Sequence, residues 1–142
     1  MTFRRFNPKT NEYKQSLRLR ETVLRAPLGL TLSDEELADE SKCFHLGWFD
    51  RERLRAVLLL RPLDNRTVKM RQVAVDPEFQ HLGIGSQLVA FAESFARERD
   101  FTTMVAHARA TAVDFYRKAG YKICGGEFLE MAIPHWLVMK EI

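Results

Sequence analysis

A chain of 142 residues with 46% hydrophobic and 29% charged residues has the size and apolar content of one domain with a sizeable core. Twenty-two Lys and Arg against 19 Asp and Glu leave a net charge of +3, too small an excess to argue for DNA or RNA as a partner. The longest aliphatic stretch, Ala56 to Leu60, falls far short of the roughly 20 residues of a membrane-spanning helix, no apolar run follows the N-terminal arginines, and Cys43 and Cys124 lie too far apart for a CxxC motif; no membrane partner, metal or disulfide framework is expected, and the cytoplasm is the expected compartment.

No repeat or linker-like stretch divides the chain, so residues 1–142 are read as a single domain. Thr2 to Phe6 reads as a strand. Tyr13, Leu17 and Leu24 recur at helical spacing until Pro27 and Gly29, which ends a first helix near Arg25. Ser33 followed by Glu36 has the form of a capping box opening a second, short helix, with Asp34, Glu35 and Glu36 on its positive end. Cys43 to Phe49 and Leu54 to Leu60 flank the polar turn Asp50-Arg51-Glu52-Arg53, the best hairpin signal in the chain, and a turn at Asp64-Asn65 leads to a third strand, Thr67 to Val75.

After that strand, Ile84, Leu88, Phe91 and Phe95 fall on one face of an amphipathic helix that closes in charge at Arg97 to Asp100. Thr102 to Ala108 reads as a strand, Thr111 to Ala119 as a short helix stopped by Gly120, and Tyr121 to Phe128 as a strand. Beyond Pro134, Leu137 to Lys140 reads as a final edge strand. A meander, a strand-helix-strand crossover and two closing strands make an α+β order with a mixed sheet.

The chemistry of this order concentrates at Gln80-His81-Leu82-Gly83-Ile84-Gly85, which opens the amphipathic helix. The first amides of a helix lack internal partners and carry the positive end of its dipole, and two glycines let an anion lie directly on them. The phosphate loop of nucleotide-binding proteins needs Gly-Lys-Ser/Thr where this chain has Gly85-Ser86-Gln87, and the dinucleotide fingerprint needs a small residue where it has Leu88.

The same residues resemble the signature of the GNAT superfamily of acyl-CoA-dependent N-acyltransferases, Gln/Arg-x-x-Gly-x-Gly/Ala after a strand, here preceded by Val73-Ala74-Val75-Asp76-Pro77. Ala112-Val113-Asp114-Phe115-Tyr116-Arg117-Lys118-Ala119-Gly120-Tyr121 is similar to that family's Ala-x-x-Phe-Tyr-x-x-x-Gly-Phe segment, with Tyr121 in place of the usual Phe. The ending Glu130-Met131-Ala132-Ile133-Pro134-His135 also resembles the small bacterial ElaA-like branch.

The resemblance implies a mostly antiparallel central sheet of six to seven strands with about four helices, whose central strands splay to form a cleft for acetyl-CoA. Val73, Ala74 and Val75 would lie along the pantetheine arm, and the turn from Gln80 to Ser86 would take the diphosphate. Phe115 would pack against the cofactor and Tyr116 would protonate the departing thiolate. The implied reaction is transfer of an acetyl group to a primary amine by direct attack in a ternary complex. The acceptor is a small-molecule or protein amine, and a homodimer is one option for assembly.

An amine of pKa about 10.4 is deprotonated at pH 7 in only about one molecule in 10³, so a base or water chain has to offset roughly 4 kcal/mol. The strand before the glycine turn offers Lys69, Arg71 and Gln72, none a carboxylate. Glu130 and His135 are the candidate bases, although sequence alone favours the plainer readings, Glu130 as a solvated or ion-paired strand residue and His135 as a packed or turn histidine. His45, His81 and His107 rank below them, because one sits in the hairpin, one in the glycine turn and one on a strand whose facing the sequence leaves open. Arg109 could steer an acceptor carboxylate or pair at the surface. Glu35, Glu36, Asp39 and Glu40 form an acidic cluster that would draw a cationic amine, although a charge run is usually a solvated face. The competing reading is a non-catalytic acyl-CoA sensor or interaction module of the same fold.

Overall fold

The computed structural model describes residues 1–142. Seven strands form one sheet in the order β1-β2-β3-β4-β5-β7-β6. The strands are β1 (Thr2–Phe6), β2 (Phe44–Asp50), β3 (Arg53–Pro62), β4 (Thr67–Val75), β5 (Thr103–Arg109), β6 (Lys122–Glu130) and β7 (Ile133–Glu141). The helices are α1 (Asn11–Arg20), α2 (Asp34–Leu37), α3 (Ile84–Arg97) and α4 (Val113–Lys118). Every neighbouring pair is antiparallel except β4 and β5, which α3 joins as a parallel crossover. No helix is long and apolar enough to cross a membrane.

The expected elements form, with three differences. The β2–β3 turn is tighter than four residues: Asp50 and Arg53 still pair, and Arg51 takes a left-handed φ of 60°. The first helix continues past α1 as a π-helical turn, Glu21–Arg25. The expected final edge strand lies inside the sheet, because β7 pairs with β5 along Thr103–Arg109 and with β6 on its other side. Val138 of β7 is fully buried, whereas β6 alternates between half-buried and exposed positions and forms the edge.

Helices cover both faces of the sheet, which explains the unbroken aliphatic run in β3: Ala56 to Leu60 are all fully buried. Ala56, Leu58 and Leu60 face Leu88 and Ala92 of α3, while Val57 and Leu59 face Leu19 of α1 together with Phe6 and Phe49. The α1 side also encloses charge. Arg20 is fully buried and donates to both carboxylate oxygens of Glu40, at 2.7 and 3.0 Å, to Ser16 Oγ at 3.0 Å and to Gln72 Oε1 at 2.8 Å. The Tyr13 hydroxyl donates to Glu40 Oε1 at 2.8 Å and His45 Nε2 to the Glu40 carbonyl at 2.8 Å. Satisfying every tooth of the guanidinium fork is what makes a buried charge tolerable.

Candidate functional site

The network around Arg20 ends on the residue that opens the sheet. Along β4, Arg71 pairs with Leu59 and Ala74 with Val57, so Gln72 and Val73 together oppose Leu58, and Gln72 takes a φ of 52°. This bulge bends β4 while its Gln72 side chain is held by Arg20. Pairing of β4 with β5 runs from Thr67–Thr103 to Met70–Ala106 and stops there, because β5 stays with β7 as far as Arg109 and β4 stays with β3. A fork therefore opens between the two parallel strands, as the resemblance implies. It leads into a cleft of about 710 Å³.

On one side of the fork lies the glycine turn. Gln80 Nε2 donates to the Val75 carbonyl at 2.9 Å and ties the turn to the end of β4. Gly83 caps α3 with a φ of 83°, a conformation costly for a residue with Cβ. The amides of Leu82, Gly83, Ile84, Gly85 and Ser86 have no hydrogen-bond partner in the chain; that of Gln80 is spent on the Pro77 carbonyl. His81 holds a φ of 65° and the Leu82 side chain is exposed, whereas Ile84 is buried beneath α3. A Cβ at Gly85 would stand 3.4 Å from the Phe115 ring and 3.5 Å from Val75 Cγ2, so a methyl just fits and anything larger displaces a wall. Free amides, a dipole end and a missing side chain suit a diphosphate, so the residues present fit the diphosphate of coenzyme A. Val73 lines the cleft, while Ala74 is buried on the α1 side and can offer only its main chain.

Tyr116 is brought to the same cleft by α4. Its ring packs edge-on against Phe115 and Tyr121, and the residue is only 7% exposed. Burial pushes its hydroxyl up to about 12, and that hydroxyl has no hydrogen-bond partner in the chain. A phenol held that far above a thiol of about 8.5 would lose roughly 5 kcal/mol on full proton transfer, which suits the hydroxyl to hydrogen-bond donation more than to full proton transfer.

The other wall of the cleft is charged. Glu130, at the end of β6, places Oε1 3.0 Å from His107 Nδ1 and Oε2 3.4 Å from His135 Nε2. Burial alone would push the Glu130 carboxyl up, but the hydrogen bond from His107 and the nearby charges of His107, His135 and Lys69 hold it below the usual carboxylate range. His135 is 2% exposed and its Nδ1 donates to the Ile133 carbonyl at 2.8 Å, which leaves Nε2 turned toward Glu130. Lys69 Nζ lies 3.3 Å from His107 Nδ1, competing with Glu130 for that atom, and burial pushes the Lys69 ammonium down. The two candidate bases thus meet in one cluster, which also contains His107 and Lys69.

The acidic cluster is not free to draw a cation. Glu40 is consumed by Arg20, Glu36 is clasped by Arg25 and also closes the capping box with Ser33, and Asp39 receives Arg61 at 3.0 Å and Arg71 at 3.3 Å. Only Glu35, which is exposed, has no cationic partner. His45 belongs to the buried network and His81 to the turn. Trp48 is a core residue against Phe3 and Phe79. Both cysteines are free, Cys43 buried and Cys124 half-buried.

His107, ranked below Glu130 and His135 in the sequence, lies in the same cluster, and a signal for its facing existed. Met104, Ala106 and Ala108 are small or apolar and pack on the α3 side, so by strand alternation Val105, His107 and Arg109 face the opposite way. Lys69 is not a carboxylate, and no local pattern marks its approach to His107, which depends on β4 and β5 pairing in register.

Comparison with known proteins places the chain independently. The "Acetyltransferase (GNAT) family" model matches residues 10–121. The uncharacterized protein YyaT of Bacillus subtilis (strain 168) is 34% identical over 76 residues, covering 54% of this chain and 51% of that one. The chain spans about half the length of the first curated relatives it matches. Among solved structures, Escherichia coli ElaA superposes with a TM-score of 0.84 at 17% identity, covering 99% of both chains. A GNAT family acetyltransferase from Elizabethkingia anophelis with acetyl-CoA bound superposes with a TM-score of 0.77 at 19% identity, over 99% of this chain and 97% of that one. At such identities the likeness to ElaA is one of fold. The family match over most of its length, with the forked strands and the open glycine turn, makes this chain a member of the GNAT acetyltransferase family.

Proposed function

We propose that residues 1–142 form one N-acetyltransferase domain that moves an acetyl group from acetyl-CoA to a primary amine by direct attack in a ternary complex. The observation that carries the reading is the fork between β4 and β5, flanked by five unpartnered amides at the start of α3 and by the unpartnered Tyr116 hydroxyl. Bound acetyl-CoA would supply an activated thioester. The chain supplies the rest. Amides from Leu82 to Ser86 bind the diphosphate, and the main chain of Val73 to Val75 aligns the pantetheine arm along the free edge of β4. Phe115 forms the wall beneath Gly85, and the Tyr116 hydroxyl donates a hydrogen bond where thiolate charge develops.

At the charged wall, the Glu130–His135 pair receives the proton that the acceptor amine must lose. A carboxylate held below its usual range is a poor base alone, and an imidazole is the stronger base of the two classes. Glu130 therefore orients His135 and His107 and stabilises the imidazolium that forms. The family match, the bound acetyl-CoA named for the Elizabethkingia anophelis structure and the position of these groups support this reading.

Thiol release from acetyl-CoA, followed across a panel of amines, tests the proposal. Turnover with at least one amine and a Tyr116→Phe variant that keeps cofactor binding but loses most turnover is the expected result. Tight coenzyme A binding without thiol release from any amine would instead make the chain an acyl-CoA sensor.

A further inference from the structure

The charged wall carries more cations than its own carboxylates can neutralise. Arg25, Arg61, Lys69, Arg71 and Arg109 line the cleft with four carboxylates, Glu35, Glu36, Asp39 and Glu130. Asp39 is divided between two guanidinium groups, Glu36 is taken by Arg25, Glu130 lies between two histidines, and Glu35 is exposed at the cleft with no cationic partner. Two half-buried cations are left over. Lys69 touches only His107, and Arg109 has no carboxylate within ion-pair distance, its one recorded hydrogen bond running from Nη2 to the Leu24 carbonyl at 2.8 Å.

Arg109 is unusual for an arginine in a folded protein. It stands at the end of β5, opposite His135 across the β5–β7 pair, on the cleft side of the sheet. Burial and the nearby charge of Arg25 both disfavour its charged form, and the charge of Glu130 only partly compensates. A guanidinium that remains ionised, is partly desolvated and uses one of its five N–H groups is a preformed receptor for a planar anion, since its fork matches a carboxylate in two parallel hydrogen bonds.

Resting on the acetyltransferase reading above, we propose that the acceptor is a small amine that also bears a carboxylate, as in an amino acid. Arg109 takes the carboxylate, with Lys69 adding positive potential along the wall. The cleft volume of about 710 Å³ lies within the range of small-molecule sites. A polyamine, by contrast, would bring several cations to a wall that already has a surplus of them. The same surplus gives the acceptor an orientation. With its carboxylate at Arg109, a short amino acid points its amine back along β5 toward His107 and the Glu130–His135 pair.

Matched ligands separate this inference from the reading it rests on. Calorimetry with coenzyme A alone tests the donor site. In the presence of coenzyme A, a series of N-acetyl amino acids is then compared with the corresponding N-acetyl carboxamides, which differ only in the charge of one group and need no turnover to bind. Carboxylates are expected to bind at least about tenfold more tightly than carboxamides. Arg109→Gln is expected to reduce that ratio to within about twofold of unity while leaving coenzyme A affinity unchanged. In turnover assays the same substitution raises KM for carboxylate-bearing amines far more than it lowers kcat. Coenzyme A binding together with equal affinity for the two series, or efficient acetylation of spermidine in preference to any amino acid, would overturn the carboxylate assignment and leave the donor site standing. Absence of coenzyme A binding would overturn both.

Discussion

The two faces proposed to hold donor and acceptor are built on opposite principles. The donor wall of that reading is main chain: the free edge of β4 beyond Met70, the open amides from Leu82 to Ser86 outside the lining of the cleft itself, and the space left by two glycines. The acceptor wall is side chain: guanidinium groups, imidazoles and carboxylates drawn from residues 24 to 135 and fixed by mutual ion pairs. A wall of backbone recognises a ligand common to a whole family and tolerates sequence change around it. A wall of charged side chains can be rewritten residue by residue, which is how one fold can serve many acceptors.

The comparison breaks first at the element the two walls share, the β4 bulge. Arg20→Met and Glu40→Ala each leave a buried charge without its partner, and each is expected to cost about 3–5 kcal/mol in urea unfolding. Both should damage donor and acceptor functions together, because Arg20→Met removes the tether of Gln72 and Glu40→Ala removes the carboxylate that fixes Arg20. A loss below 1 kcal/mol in either variant would show that the bulge holds itself.

Tyr116→Phe acts on the donor wall alone. It removes one unpartnered hydroxyl and keeps the ring packing against Phe115 and Tyr121, so the fold should survive. A fall in kcat of about 10²–10³-fold, with KM for acetyl-CoA unchanged within about twofold, is expected from loss of a hydrogen-bond donor to the developing thiolate charge. Equal damage to KM would mean that the hydroxyl holds the cofactor rather than the leaving group.

Gly85→Val sharpens the same wall. The added methyl groups must displace Phe115 or Val75, which already approach the Cβ position to 3.4 and 3.5 Å. Coenzyme A affinity, read by calorimetry, should drop about tenfold or more while acceptor preference in residual turnover is kept. Unchanged affinity would move the diphosphate away from this turn.

The walls also differed in how far the sequence revealed them. Gln80 to Gly85 marked the proposed donor wall because what suits it to an anion is local backbone: an orphan amide at a helix start and a missing Cβ are encoded within six consecutive residues. Tyr116 followed from the resemblance of its segment, yet its raised pKa reflects burial against Tyr121 and Phe115, which local sequence does not encode. The acceptor wall is a product of sheet order. Had β7 lain at the edge, as its apolar pattern suggested, Glu130 and His135 would not have met His107 of β5, and the insertion of β7 between β5 and β6 is what joins them. The acid run from Glu35 to Glu40 shows the opposite failure: the residues were visible, but their arginine partners lie up to 32 positions away at Arg71.

The smallest expected effect concerns acid stability, and it bears on the acceptor wall. Glu36, Asp39 and Glu130 are all held below the ordinary carboxylate range, in each case against the upward push of burial, by Arg25, by Arg71 with Arg61, and by His107 respectively. A carboxyl depressed in the folded state stays ionised there while the unfolded chain takes up protons near pH 4, so its stabilisation is present above about pH 4 and is lost as pH falls through the folded values. The urea midpoint should therefore hold nearly constant from pH 7 to 5 and decline below 4. Asp64 is depressed too, but by the amides of Arg66 and Thr67 in the turn before β4, away from the cleft. Asp39→Asn and Asp64→Asn should each flatten the acid decline slightly. Only Asp39→Asn frees Arg61 and Arg71 and raises the positive surplus of the wall, so it alone should strengthen binding of carboxylate ligands, by about twofold to threefold. If both variants leave ligand affinity equal, Asp39 does not balance the charge that the acceptor meets.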